Sequence, residues 1–161
     1  MLKNIIKILI LTTFVASISQ ASEVSAFVVV SPVGDFTAEF KDVKMKVVKA
    51  GDTYKTESPI VIPWKTVDTG MAMRNTHTLK YFNADKYPNI EILSSLGKAG
   101  QGAAKVKMNG VEKIVKGTYK IKDNKMLSEM KIKLSEFNVK NINFKGAGVD
   151  DEVVIKVSTD L

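Results

Sequence analysis

Apolar and polar residues alternate along most of the chain. Between Met126 and Leu134, the residues Ser128, Met130, Ile132 and Leu134 share one parity, and Glu129, Lys131 and Lys133 share the other. Successive side chains of a strand point to opposite faces, so this run predicts a strand with one dry and one wet side. Val115, Gly117, Tyr119 and Ile121 set against Lys116, Thr118, Lys120 and Lys122 repeat the pattern, as do Val153, Ile155 and Val157 near the C-terminus. Turn chemistry separates the runs. Asn109-Gly110, between Met108 and Val111, is the pair favoured in a two-residue type I′ hairpin, and Asp123-Asn124 occupies an equivalent place. Gly51-Asp52 is expected to turn the stretch 43–49 onto 53–64, and the glycine-rich stretch 97–102 reads as a flexible loop between strands around 90–96 and 103–108.

One irregularity predicts curvature. Phe36, Ala38 and Phe40 are even-numbered apolar positions, whereas Val43, Met45 and Val47 are odd. A β-bulge near Lys41-Asp42 would restore a single apolar face by inserting one residue, and would bend the strand as closing sheets require. The runs number about eight, which closes into a barrel narrow enough to be filled by side chains or to hold one slim ligand. Alternation fails between Thr66 and Phe82. There Asp68 or Thr69 is a candidate cap, Gly70 weakens a first turn, and Pro88 bars helix beyond Tyr87, which predicts one or two short helical turns in a long connection. The predicted fold is all-β: an eight-stranded antiparallel barrel with a short helical element, without internal repeats or low-complexity segments.

The N-terminus carries Lys3 and Lys7, an apolar run from Ile8 to Ile18, and then Ser19-Gln20-Ala21. This is the layout of a secretory signal, and its apolar part is short for a bilayer span of ~20 residues. The expected organisation is a signal peptide over 1–21, cleaved near Ala21, and one domain over 22–161. With no cysteine in the chain, stability must come from the core and the strand ladders. Loss of Lys3 and Lys7 takes the 24 cationic residues to 22 against 17 acids, so the net charge falls from +7 to +5. Arg74 is the sole arginine, and the lysines alternate with apolar residues. Nucleic-acid surfaces cluster arginine with stacking aromatics, so the lysines read as solvated outer strand faces and no nucleic-acid partner is expected. A weak attraction to anionic membranes is compatible with the charge.

Catalytic machinery is scarce. His77 is the sole histidine, which leaves no multi-histidine or cysteine zinc site within one chain, and no Gly-x-Ser-x-Gly elbow accompanies it. Asp150-Asp151-Glu152 lacks the ligand spacing of a calcium loop and reads as a charged turn. Gly97, Gly100 and Gly102 are not followed by the Lys-Ser/Thr of a phosphate loop. Plentiful instead are Met45, Met71, Met73, Met108, Met126 and Met130, with Phe36, Phe40, Phe82, Phe137 and Phe144. Thioethers conform to irregular alkyl ligands, but they also fill ordinary cores, which is the simpler reading of these residues alone.

The run Arg74-Asn75-Thr76-His77, followed by Tyr81-Phe82 and Lys86-Tyr87-Pro88, resembles the central signature of the YceI-like family. Residues 31–40, Gly110-Val111-Glu112-Lys113, Gly117-Thr118-Tyr119, Leu134-Ser135-Glu136-Phe137 and the closing segment 148–153 extend the resemblance over nearly the whole mature chain. It implies a lipocalin-like barrel with an elongated apolar interior, generally exported to the periplasm, that binds long-chain amphiphiles such as polyisoprenoids, isoprenoid quinones or fatty-acid derivatives. No catalytic reaction is established as the family's activity, and no enzymatic role, metal or other cofactor is expected. On this reading Phe40, Val47, Ile62, Met71, Met73, Met108, Tyr119, Met130, Ile132 and Ile155 are candidates to line the ligand site, and Arg74, His77, Tyr81 or Tyr119 to orient the ligand. Many relatives carry a histidine in the first strand, whereas Ser25-Ala26-Phe27-Val28-Val29 has none, so a head-group contact from that strand does not carry over. Transient contact with a membrane surface is an expected partnership, and the oligomeric state stays open, a homodimer included. Two rival functions are a periplasmic stress-related module that binds proteins through the lysine-rich exterior, and a hydrolase using His77.

Overall fold

A computed structural model describes residues 21–57, 59–144 and 146–161, so residues 1–20 of the expected signal peptide lie outside the described residues. The strands are β1 (Ala21–Ser31), β2 (Gly34–Lys44), β3 (Val47–Ala50), β4 (Thr53–Thr56), β5 (Ile60–Pro63), β6 (Val67–Asp68), β7 (Asn89–Lys98), β8 (Gln101–Met108), β9 (Val111–Lys122), β10 (Lys125–Lys133), β11 (Asn143–Phe144), β12 (Ala147–Val149) and β13 (Glu152–Asp160). One helix, α1 (Ala72–Tyr81), and two 3-10 turns, Trp64–Thr66 and Leu134–Phe137, complete the elements among the described residues.

All the ladders are antiparallel and belong to one curled sheet, in which β2, β1, β13, β10, β9, β8 and β7 are successive neighbours. The strand count differs from the eight expected. The sheet has 13 strands, because the far edge of β7 is covered by two short segments: β4 pairs Leu96 to Lys98, and β5 pairs Asn89 to Ile92. Together β4 and β5 make an eighth position in the circuit, while β3, β6, β11 and β12 are short additions to its edges. Closure comes from one continuous segment. The chain leaves β7 with β5, turns through Trp64–Thr66, and joins β2 as β6, with Glu39 opposite Asp68 and Phe40 opposite Val67.

The bulge lies where the parity change places it. Ser22 faces Val43 but Val24 faces Phe40, so Lys41 and Asp42 together oppose Glu23, and Asp42 takes the left-handed φ of 59°. Ala38, Phe40 and Val43 are consequently all buried. The Asn109-Gly110 and Asp123-Asn124 turns have left-handed φ at both positions, as type I′ hairpins require, and Gly51-Asp52 joins β3 to β4.

Two expectations need correction. The stretch 97–102 is not a flexible loop: Gly97 pairs with Gly102 and Lys98 with Gln101, which leaves only Ala99-Gly100 as a two-residue turn. Gly97 serves packing, since a Cβ there would lie 2.8 Å from the Tyr119 ring. The helical element is also longer than one or two turns, and neither Asp68 nor Thr69 caps it. Met71 is the N-cap, without a side-chain cap bond. The side chains of the expected caps are engaged one step earlier: Asp68 accepts from the Gly70 amide at 3.0 Å, and the Thr69 hydroxyl donates to Asn75 Oδ1 at 2.6 Å. Asn75, inside the helix, thereby fixes its entry.

Candidate functional site

The inward faces of the curled sheet do not meet. Val24, Ala26 and Val28 of β1, Phe40 of β2, Val106 of β8, Ile132 of β10 and Ile155 of β13 surround a cavity of about 360 Å³ whose lining is predominantly apolar. Alternation produces it directly, since each strand contributes every second residue. An aromatic cluster forms part of the wall: Trp64 stacks on Phe82 at 4.2 Å between ring centroids and meets Phe40 edge-on at 5.6 Å. Trp64 sits here because the 3-10 turn bridging the sheet edges points it inward, where it is only 3% exposed.

Most of the polar side chains lining the cavity come from α1, with Asp35 of β2 besides. Arg74, His77, Thr78 and Tyr81 line it, and their spacing of three and four residues places them along one helical face. Tyr81 latches the helix to β11, its hydroxyl donating to the Asn143 carbonyl at 2.8 Å and accepting from the Asn143 amide at 3.3 Å. The Arg74 guanidinium lies 4.2 Å from the centroid of the Phe36 ring, donates to the Thr69 carbonyl at 3.2 Å, and reaches Met71 Sδ at 3.0 Å. All ion pairs among the described residues use lysines, so this cation carries no carboxylate partner. Just upstream, the Lys41 ammonium at 2.8 Å, followed by the Gly70 amide, holds the Asp68 carboxyl below the usual carboxylate range, which pins the connection leading into the helix. Val33, Met71 and Met73 are exposed, yet they also line the cavity, so its rim is apolar. Among the described residues no group of three or more His, Cys, Asp or Glu side chains gathers as a metal site.

The model of the YceI-like domain matches residues 15–161. The chain belongs to the YceI-like family. Solved structures similar to this YceI-like domain include BcnA of Burkholderia cenocepacia, at TM-score 0.65 and 22% identity over 85% of this chain and 94% of that one. A second is a polyisoprenoid binding domain from Saccharophagus degradans implicated in plant cell wall breakdown, at TM-score 0.59 and 13% identity over 85% and 91%. A third is a mutant CJ YCEI protein with a monobromobimane guest, at TM-score 0.52 and 18% identity over 77% and 84%. At these identities the likeness is one of fold. No curated protein is similar enough in sequence to match the chain.

Of the candidates drawn from the sequence, the YceI-like domain places Phe40, Ile62, Met71, Met73, Arg74, His77, Tyr81, Met108, Met130, Ile132 and Ile155 around the main cavity. Val47 and Tyr119 are elsewhere: they line a second cavity of about 90 Å³ toward the opposite end of the barrel, where Tyr119 meets Tyr54 edge-on at 5.7 Å. For Val47 the cause is its place on the short edge strand β3, beyond the bulge. Tyr119 lies in the half of β9 next to the Ala99-Gly100 turn, where its backbone amide donates to the Gly100 carbonyl at 2.9 Å. Residues that the sequence did not single out are Trp64 and the even positions of β1, while Phe36, noted there for its apolar parity, is not among the site candidates. Val24, Ala26, Val28 and Val30 carry a readable alternation, although it is blurred by Phe27 and Val29 on the other face. Trp64 carries no periodic signal, since its 3-10 turn interrupts the strand pattern.

Proposed function

We propose that this YceI-like domain is an exported carrier that holds the apolar chain of a long-chain amphiphile inside the barrel and moves it through the periplasm. The candidate ligands are a polyisoprenoid, an isoprenoid quinone or a fatty-acid derivative. The observation that carries this reading is a cavity of about 360 Å³ with a predominantly apolar lining and a cationic side chain, Arg74, where it meets the helix. Removing an alkyl or prenyl chain from water contributes about 25 cal/mol per Å² of apolar surface buried, so the walls supply affinity while the polar residues of α1 set orientation. The polyisoprenoid-binding description of the Saccharophagus degradans structure supports the same ligand class. The exposed Val33, Met71 and Met73 on the rim suit brief contact with a bilayer, from which a chain enters without crossing water. The domain on this reading binds and releases; it performs no reaction.

The test is mass spectrometry of organic extracts from natively purified protein, followed by reloading of the delipidated protein. A near-stoichiometric amphiphile that rebinds is the expected result. Protein that is lipid-free, takes up no amphiphile and forms a saturable protein complex would replace this reading with that of an interaction module.

A further inference from the structure

We infer that the two cavities are successive chambers of a single path, and that Met130 is the side chain that determines how long an apolar chain the path accepts. The inference rests on the lipid-binding reading and deepens it. Both cavities are lined by Ile92, Met130 and Val157, so these three residues form the partition between the chamber of about 360 Å³ and that of about 90 Å³. They are unequal partners. Ile92 and Val157 are β-branched, with χ1 restricted, and both are buried. Met130 is unbranched, with three rotatable bonds and a polarizable thioether, and it is only partly buried. It stands opposite Gly117 in the β9–β10 ladder, so no facing side chain on that strand hems it in. Rotation of the Met130 side chain can therefore open the partition without moving a strand.

The second chamber has an end stop. The Tyr119 ring lies against Gly97, where a Cβ would come within 2.8 Å, and meets the ring of Tyr54 at 5.7 Å. A glycine beneath and an aromatic edge beside it hold the ring in place. Thr159, which also lines this chamber, is satisfied by the Ser22 hydroxyl, which donates to it at 2.7 Å. An amphiphile whose polar end stays with Arg74 would thus pass its terminal carbons beneath Met130 and finish against Tyr119.

The experiment compares equilibrium binding of dodecanoate, hexadecanoate and docosanoate, delivered from cyclodextrin, to the delipidated wild type and to Met130→Ala and Met130→Ile. Dodecanoate, which fits before the partition, serves as the internal reference for each protein, because Met130 also borders the first chamber and its replacement shifts every affinity there. The readout is the ratio of docosanoate to dodecanoate affinity. Docosanoate should gain on dodecanoate in Met130→Ala and lose in the stiffer Met130→Ile, each by about tenfold, the effect of roughly two buried methylenes. Tyr119→Leu removes the end stop and should favour docosanoate likewise, which keeps the inference testable if Met130→Ala fails to fold. An unchanged ratio of long-chain to short-chain affinity across the folded variants would overturn the inference while leaving lipid binding intact. If no fatty acid, hydrocarbon alcohol or quinone binds the wild type at all, the carrier reading itself fails.

Discussion

An open interior makes a quantitative claim about stability. Phe137 and Ile132 are both apolar residues of the barrel core, yet they differ in what lies beside them. Phe137 is 0% exposed and does not border the cavity, and its carbonyl accepts from the buried Asn109 side-chain amide at 3.0 Å, which ties the Leu134–Phe137 turn to the β8–β9 hairpin. Truncating such a ring leaves a void that its packed surroundings cannot fill, so Phe137→Ala should cost about 3–5 kcal/mol. Ile132 faces a space that already exists. Ile132→Ala merely enlarges it, and only the transfer of three carbons is lost, at ~0.8 kcal/mol for each one fully buried. Since Ile132 is only partly buried, its cost should stay below about 2 kcal/mol. Urea denaturation of delipidated protein measures both values at a common m-value. Near-equal costs, with Ile132→Ala as damaging as Phe137→Ala, would mean that the barrel is packed solid at Ile132 and that the site is misplaced. Saturating ligand, a hundredfold above Kd, should then add about 2.7 kcal/mol to each variant that still binds it and leave the contrast between them standing.

Further expectations concern the helix, the sheet and the closing turn. Arg74→Ala should weaken binding of hexadecanoate by about tenfold or more, the usual effect of one charge-assisted hydrogen bond, and leave hexadecanol within about twofold, as read by competition with a fluorescent lipid. Gly117→Ala should destabilise by at least ~2 kcal/mol in the same urea assay, since a Cβ there overlaps the Glu129 carbonyl oxygen and lies 2.9 Å from Met130 Cβ. Asp151 accepts from the Ser135 hydroxyl and amide, each at 2.7 Å, and these bonds hold its carboxyl below the ordinary range. A carboxyl depressed in the folded state stabilises above its unfolded pKa of ~3.9 and loses that contribution as pH falls through the folded value. Asp151→Asn should therefore be less stable than wild type at neutral pH, and the two urea midpoints should converge as the pH falls below the ordinary carboxylate range and through the folded value.

Much of the barrel was legible because a sheet with one buried face writes its geometry into parity. The alternation in β9, β10 and β13, the two type I′ turns and the bulge at Lys41-Asp42 all follow from the requirement that every second residue face the interior. The errors have an equally local cause. Gly97 and Gly102 look like loop residues because glycine is permissive, but Gly97 is small for the sake of the Tyr119 ring, a neighbour twenty-two residues away in sequence. The helix start was misplaced because Asp68 and Thr69 have good capping side chains, and nothing local reveals that Gly70 and Asn75 engage them first. Val47 and Tyr119 have inward parity, yet parity does not say which stretch of the barrel axis a residue occupies.

That last distinction bears on where a ligand's polar end can lie. The inward positions of β1 are Val24, Ala26, Val28 and Val30, all of which line the cavity, whereas Ser25 and Phe27 belong to the opposite face. A strand with this set offers no side-chain hydrogen bond to anything inside. An amphiphile's head group buried against it would forfeit its hydration with no replacement, a cost of several kcal/mol for a neutral polar group and more for a charge. Side chains that can repay this desolvation on that reading stand on α1, where Arg74 has five donors and no ion pair among the described residues, and His77 and Thr78 share its face. On the proposed carrier reading, the absence of a first-strand histidine and the Arg74 guanidinium point the same way: polar recognition falls chiefly to the helix side of the cavity, and the Trp64 indole N–H, buried without a hydrogen-bond partner among the described residues, is a further donor on a residue of the wall.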